Sequence, residues 1–238
     1  MNILNDPKIT LEEEMHVYKL VDDPQFQFTS STTFLGQFFA PFEQDKIAQH
    51  LVTNVPRYQG RTPEELKEEW KLASDIGTAV HKELEDYLRI GKAPVHLKAV
   101  QGQKWIDQNI PPWLKVFPEV IIYSKELKLA GMIDALVFDS VLDEYVLIDW
   151  KTNKKISQDA YQGKVGTHEA TKDIADCSFM RYSIQLSLYR YILETYYGIT
   201  VKNSFIVHLK TDDAAQYKCP YLLKTITKMF GEAQHDKL

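Results

Sequence analysis

The fold is decided by residues 131–151, which read GMIDALVFDSVLDEYVLIDWK. Residues 132–138 and 145–150 are short runs rich in β-branched, aromatic and aliphatic side chains, and such runs favour β-strands. The acidic pair Asp143-Glu144 lies in the connection between these two runs. The sequence therefore predicts that they form an antiparallel hairpin.

Each predicted strand carries a carboxylate among apolar residues. Side chains alternate across a strand, so Asp149 and Lys151 share one face, while Asp134 lies on a face that is expected to be buried. A buried charge is costly unless it is paired or bound. Taken alone, Asp149 and Lys151 fit an ordinary salt bridge, and Asp134 fits a hydrogen-bonded structural acid. If the hairpin places both aspartates side by side, a proton or a divalent cation must relieve their repulsion.

The rest of the chain reads mainly as helices around these strands. An N-cap at Thr62, a proline after it, a glutamate three residues on and a glycine at 91 predict a long helix. That order of elements predicts an α/β or α+β domain in which helices pack on a small mixed sheet. The other expected elements are helices over 10–21 (capped by Thr10 and Glu13), within 26–42, and over 96–108, 179–197 and 221–230; strands over 120–123 and 204–209; and a polar loop over 153–176.

Composition excludes several classes of protein. The chain has 238 residues, of which 44% are hydrophobic, so it is too apolar for a disordered protein and large enough for a sizeable core. The net charge of −5 gives no globally basic surface. Two cysteines, Cys177 and Cys219, are too few for a disulfide framework or a four-cysteine iron–sulfur cluster. With no signal peptide and no apolar run of about 20 residues, we expect a soluble protein of a reducing compartment.

Two helical sets of polar residues complete the pattern. His81 and Glu85 are four residues apart on the long helix and therefore face the same way. Gln185 and Tyr189 have the same spacing on a later helix, with Arg181 one turn before them. A lone helical histidine is more often structural or exposed, and the second set alone is typical of the polar edge of an amphipathic helix.

Four motifs follow one another along the chain: Gly77-x-x-x-His81-x-x-x-Glu85, Gly131-x-x-Asp134, Asp149-x-Lys151 and Gln185-x-x-x-Tyr189. In this order they resemble the motifs of the PD-(D/E)XK nuclease superfamily, and specifically its RecB-type branch. The stretch from Ser31 through Phe42, with Trp70, is more similar to the phage-encoded and mitochondrial genome-maintenance single-domain exonucleases of that branch. The resemblance implies an α/β, restriction-endonuclease-like core with a small central mixed β-sheet flanked by helices.

The resemblance also implies a division of the chain and a role for each motif residue. One nuclease domain would span 1–238, with an N-terminal helical and aromatic extension (1–60), a catalytic core (61–210) and a C-terminal helix (211–238). One or two Mg²⁺ or Mn²⁺ ions would be bound by His81, Asp134, Asp149 and the backbone carbonyl of Trp150. Lys151, Asp149, Asp134 and Glu85 would be catalytic, with Lys151 orienting or deprotonating the attacking water or neutralising charge. Contacts with the DNA backbone, or support of the site, would come from Gln185, Tyr189, Arg181 and Lys154.

The function implied is that of a metal-dependent exonuclease acting on single-stranded DNA or DNA ends, in replication, recombination or repair. Its partners would be DNA and a recombination or replication protein, in the cytoplasm of a bacterial or phage-infected cell, with no membrane and no iron–sulfur cluster. The N-terminal helix and the aromatic segment would form an arch over the entering strand. The alternatives are a double-strand-specific or flap nuclease of the same fold, and a non-catalytic nuclease-like module that binds DNA.

Overall fold

A mixed six-stranded sheet with helices on both faces organises the chain, which a computed structural model describes for residues 4–12, 15 and 17–235. The fold is α/β, as the sequence predicts. The strands are β1 (Ile9–Glu12), β2 (Val17–Leu20), β3 (Thr29–Ser30), β4 (Lys115–Ser124), β5 (Leu129–Asp139), β6 (Glu144–Lys151), β7 (Val201–Leu209) and β8 (Ala214–Cys219). The helices are α1 (Ser31–Gly36), α2 (Gln44–Asn54), α3 (Pro63–Ile90), α4 (Leu97–Asn109), α5 (Ser178–Ile192) and α6 (Leu223–His235).

The centre of the sheet is the antiparallel run β4–β5–β6. The predicted hairpin of β5 and β6 is confirmed, with Ala135 paired to Ile148 and Asp139 paired to Glu144. Helix α5 then crosses over so that β7 pairs with β6 in parallel, and β8 returns antiparallel to β7. The short β3 pairs in parallel with the start of β5. The sheet is therefore mixed.

The sheet separates two hydrophobic clusters. Helices α1, α5 and α6 cover one face, and α3 and α4 cover the other. Within the described ranges, no helix is long and apolar enough to cross a membrane. The first cluster includes Leu136, Leu147, Ile184, Leu188, Ile206 and Met229, and the second includes Val80, Leu84, Trp105, Ile148, Trp150 and Val207.

Helix α3 begins and ends where the sequence predicts. The hydroxyl of Thr62 accepts the N–H of Glu65, whose side chain in turn accepts the N–H of Thr62. At the other end Gly91 has φ 69°, a left-handed conformation that glycine adopts without a steric penalty. Because these signals are local, the helix could be located from sequence alone.

The predicted helix over 10–21 is wrong. Residues 10–12 and 17–20 lie in the antiparallel β1–β2 pair instead, in which Ile9, Tyr18 and Leu20 are buried against Tyr123 and Ala130 of the central sheet. Burial of these alternate side chains outweighs the weak helical preference of a polar segment. Of the proposed capping box, Thr10 lies in β1, and Glu13 lies outside the described residues.

Helix α2 and strands β3 and β8 were not predicted. The N-terminal region 1–60 contains helix α2 in addition to the short α1, which does begin at the predicted Ser30 N-cap. The C-terminal region 211–238, expected to be a helix, contributes the edge strand β8 before α6. The sheet is therefore wider than the sequence indicates.

Gly131 of β5 allows α1 and α5 to approach the sheet closely. A Cβ at this position would lie 2.6 Å from both the Ser31 Oγ and the Tyr189 Cε1. Ser31 is itself fixed there, because its hydroxyl donates to the carbonyl of Ala130 over 3.0 Å. The packing of α1 and α5 against β5 therefore requires a glycine at the first position of the Gly-x-x-Asp motif.

Gly131→Ala should destabilise the protein by about 1–3 kcal/mol, since a methyl group must be forced into a packed interface. Urea denaturation measures the change. Gly231→Ala is the matched control, because a Cβ there meets nothing within 4 Å and the residue lies in helix α6. The control should be neutral or up to about 1 kcal/mol more stable. Equal stability of the two variants would contradict the packing role of Gly131.

Candidate metal centre

Three carboxylates lie in one row across β4, β5 and β6. In the β4–β5 ladder the pairs Pro118–Ala135 and Val120–Ile133 flank Glu119 and Asp134, which therefore lie at facing positions. On the other side, the β5–β6 ladder ends at the pair Ala135–Ile148, and Asp134 and Asp149 are the next residues beyond it. The antiparallel hairpin therefore brings the two aspartates to neighbouring positions, as the sequence predicts, and β4 adds a third acid.

The regular alternation of the sheet is interrupted at this row. Glu119 has φ 50°, which is uncommon for a residue with a side chain. Ile133 packs in the cluster under α5, whereas Ala135 packs in the cluster under α3, although residues two apart in a regular strand share a face. Asp134 lies between them, at the point where the side-chain alternation of β5 is interrupted. Its carboxylate can therefore reach helix α3.

Helix α3 supplies an imidazole to this row. Its residues Val80 and Leu84 are fully buried against the sheet and hold His81 above the break in side-chain alternation at Asp134. The His81 Nδ1 lies 3.5 Å from the Asp134 Oδ2, which also accepts the backbone N–H of Trp150 over 2.7 Å. One ligand atom each from His81, Glu119 and Asp134 lie within 4.8 Å of one another. This spacing suits a shared metal ion.

The electrostatics of these three groups are strongly coupled. Burial lowers the pKa of His81, but the Asp134 carboxylate has the opposite and stronger effect, so the net pKa is raised to about 9. Burial raises the pKa of Asp134, but the charge and hydrogen bond of His81, the charge of Lys151 and the N–H of Trp150 together outweigh it, so the net shift is downward. Burial, followed by the charge of Asp134, raises the pKa of Glu119 to about 8. At neutral pH the metal-free cluster therefore holds a proton on His81 and another on Glu119.

Asp149 and Lys151 form a buried pair beside the cluster. The Lys151 Nζ lies 2.5 Å from the Asp149 Oδ2, although this buried oxygen has no hydrogen-bond partner of acceptable geometry among the described residues. Burial raises the pKa of Asp149 to about 6 even though Lys151 opposes the shift. Burial lowers the pKa of Lys151, and Asp149 raises it by more. The lysine therefore remains charged.

Tyr182 of α5 covers the lysine. The Lys151 ammonium lies 4.5 Å from the centroid of the Tyr182 ring, and the tyrosine hydroxyl donates to the Asn153 Oδ1 over 2.9 Å. A cation over an aromatic face gains further attraction where water is excluded. Lys151 is thus held between a carboxylate and a ring.

A cleft of about 970 Å³ opens onto the cluster. Helix α3 forms one wall of the cleft from Glu69 to Glu85. Leu11 of β1 and residues 152–154 belong to the rest of the lining. The walls approach closely at Gly77, where a Cβ would lie 3.1 Å from the Thr152 Oγ1. His81, Glu119 and Asp134 belong to the lining, whereas Asp149 and Lys151 have side chains only 5% and 15% exposed.

Glu85 and Trp150 occupy different surroundings from the cluster. Glu85 lines the cleft but pairs with Lys82 over 2.9 Å and with Arg89 over 2.7 Å. Trp150 gives its N–H to Asp134, and its indole packs edge-on against Trp105 in the core. A catalytic role for Glu85 and a ligand role for the Trp150 carbonyl stay predictions.

Tyr189 is buried, and Gln185 beside it is half-buried. Tyr189 is only 3% exposed, and its hydroxyl accepts a hydrogen bond from the Gln185 Nε2 over 3.0 Å. Its ring fills the space left by Gly131. Because Tyr189 is buried, it cannot reach a DNA backbone here, so of the two roles expected for this pair the structure fits support of the site.

Arg181 and Lys154, also expected to contact DNA, each form an ion pair with a carboxylate of the protein. The Arg181 guanidinium lies over the Phe39 ring and pairs with Asp176, with an Nε–Oδ1 distance of 2.5 Å. Lys154 is 76% exposed and pairs with Glu69 across the cleft over 2.5 Å. Lys154 is thus the one residue of the four that lines the cleft.

The sequence analysis missed Glu119 and Tyr182. Glu119 carried the same signal as Asp134, an acid beside an apolar strand, but its role depends on the register of β4 against β5. Tyr182 had no signal of its own, because its importance comes from the position of the α5 helix over Lys151.

Comparison with known proteins assigns no family to this chain. No model of a known protein family matches it, and no curated protein matches it. Among solved structures, the crystal structure of SSO0001 is similar with a TM-score of 0.41 and 10% sequence identity, over 87% of this chain and 73% of that one. A TM-score this low supports no conclusion about function, so the residues of the site must carry the proposal.

Without metal, stability should fall as pH rises. Glu119 has a folded pKa of about 8 against an ordinary value of 4.5, so its unfavourable ionisation in the folded state accumulates between these values. The stabilisation from charged His81 is complete below 6.5 and is lost as pH rises through about 9. Glu119→Gln should therefore raise the melting temperature at pH 8 by a few degrees relative to wild type and leave it nearly unchanged at pH 4.5. Thermal unfolding in EDTA measures both, and identical pH profiles would contradict the burial of a titrating Glu119.

Proposed function

We propose that this protein is a metal-dependent deoxyribonuclease that hydrolyses phosphodiester bonds in single-stranded DNA or at DNA ends. The observation that carries the proposal is the row of Glu119, Asp134 and Asp149, with His81 over it and Lys151 beside it, at a cleft. Phosphodiester hydrolysis needs a positioned water and neutralisation of charge on the phosphate and the leaving oxygen. This set of side chains can supply those needs.

The donor set fits a divalent cation. One imidazole nitrogen and two carboxylates from three separate elements converge, and such a mixture suits Mn²⁺ or Mg²⁺. Carboxylates this close repel each other unless protons or a cation lie between them. When bound by His81, Glu119 and Asp134, the ion would neutralise phosphate charge and lower the pKa of a water molecule. Asp149 would be a further ligand from the same row while its Oδ2 keeps its contact with the Lys151 ammonium.

The role of Lys151 follows from how it is held. Asp149 and the ring of Tyr182 keep its ammonium charged and confined to one place. A fixed cation at the edge of the cluster would stabilise the charge that develops on the phosphate as the water attacks. Asp149 would therefore act in two ways, by positioning Lys151 and by adding negative charge to the cation site. We place this activity where DNA is accessible, in the cytoplasm of a bacterial or phage-infected cell.

Lys151→Ala and Asp149→Asn should each lower the rate of DNA cleavage by about 10²-fold or more, because each removes a positioned charge from the reaction. The assay digests a single-stranded oligonucleotide, labelled at either end, with Mg²⁺, Mn²⁺ or EDTA. Lys155→Ala is the matched control, since Lys155 is an exposed lysine of the neighbouring loop. It should retain wild-type activity.

A wild-type protein that binds the oligonucleotide but cuts nothing with either metal would reject the nuclease proposal and favour a DNA-binding module. A closed circular single strand in the same assay separates cleavage within the strand from digestion at its ends. A blunt duplex tests the double-strand-specific alternative.

His81→Ala and Glu119→Gln should each weaken Mn²⁺ binding by about tenfold or more, as each removes one ligand. Isothermal titration calorimetry measures the affinity, with Glu64→Gln as a control because Glu64 is an exposed acid near the start of the same helix. For the wild type, affinity should rise between pH 6 and 9, since His81 and Glu119 must release protons whose pKa values are about 9 and about 8. A pH-independent affinity would show that these residues are not the ligands.

A further inference from the structure

An aromatic pair stands at the far end of the same cleft. Trp70 of α3 belongs to the cleft lining, and its ring meets that of Phe42 edge-on with centroids 5.4 Å apart. Phe42 is 65% exposed, and the neighbouring Leu72, also in the lining, is 59% exposed. Trp70 is half-buried in the lining, and the exposed Phe42 ring packs against it at the mouth of the cleft, so apolar surface remains open to a ligand there.

The aromatic pair and the metal cluster are aligned along one helix. Trp70 and His81 are eleven residues apart, which is close to three full turns, so they lie on the same side of α3. At 1.5 Å per residue they are separated by roughly 16 Å along the helix axis. Gly77 lies between them on that side, where the helix approaches Thr152. A chain-like ligand could therefore follow α3 from the aromatic pair to the cluster.

The lining of the cleft combines apolar and cationic side chains. Helix α3 contributes the apolar Trp70, Leu72 and Ile76 together with charged groups such as Glu69 and Glu85, and Lys98 and Lys154 lie on the opposite wall. Single-stranded DNA offers a partner for both the apolar and the cationic groups, since its bases have apolar faces and its phosphates carry negative charge. In a duplex the base faces are already stacked.

We propose that Phe42 and Trp70 form a stacking platform for the bases of single-stranded DNA, with Lys154 contacting the backbone. The inference rests on the proposed function for the direction of the strand, which would run from the platform to the metal cluster. In this arrangement Lys154 must exchange its partner Glu69 for a phosphate, and Glu69 keeps its second cation, Arg61, at 2.8 Å. The platform selects unpaired bases without reading their identity.

Binding of a fluorescein-labelled oligothymidylate, followed by anisotropy in EDTA, tests the platform without any need for cleavage. Trp70→Ala should weaken binding by roughly 5- to 100-fold, the range typical of one base–aromatic stack. Trp70→Phe should retain most of the affinity, because it keeps a ring. Trp113→Ala is the matched control, since Trp113 is 74% exposed and outside the cleft lining, and it should bind as the wild type does.

A second arm leaves the protein unaltered. Abasic residues in place of thymidine should weaken binding by the wild type, whereas Trp70→Ala should not distinguish abasic from intact strands. The platform is rejected if Trp70→Ala and Trp113→Ala bind equally, if the wild type binds abasic strands as tightly as intact ones, or if it does not bind the oligonucleotide. Selective binding without cleavage would reject the nuclease proposal alone, and cleavage with unchanged binding by Trp70→Ala would reject the platform alone.

Discussion

The carboxylate of Asp134 is the group on which the arrangement of the site depends. It accepts the N–H of Trp150 from the neighbouring strand and faces the imidazole of His81 from α3. Ionised and buried, it would be costly without these partners. The β5–β6 register fixes its position, because a slip of one residue would turn every side chain of the strand to the opposite face. One carboxylate thus links the hairpin, the helix above it and the acid of β4.

The helices on the two faces contribute differently to the site. Helix α3 is anchored in the core through Val80 and Leu84, which fixes the backbone that carries His81 between them. Helix α5 packs on the opposite face of the sheet. Tyr189 lies there against Gly131, and Tyr182 covers Lys151. The site therefore lies at the boundary of two hydrophobic clusters, where polar groups can be reached from a cleft and still be held by packed side chains.

The parts of the molecule that sequence could predict are those encoded locally. Helix α3 has its own start and stop at Thr62 and Gly91, and the hairpin that aligns Asp134 with Asp149 follows from two apolar runs and a short connection. The β1–β2 pair could not be predicted, because its burial partners come from distant strands. Glu119 was missed for a similar reason, since only the β4–β5 register and a φ of 50° bring it to the cluster.

The metal cluster and the Asp149–Lys151 pair balance their charges in different ways. His81 and Glu119 hold protons at neutral pH around the ionised Asp134, so the metal-free protein already places positive charge where a cation would bind. A divalent ion would replace those protons with little change in the net charge of the cluster. The pair of Asp149 and Lys151 is neutral as a unit and needs no ion to be stable. The charges of the site therefore allow the fold to form before a metal binds, and Lys151 is in place when it does.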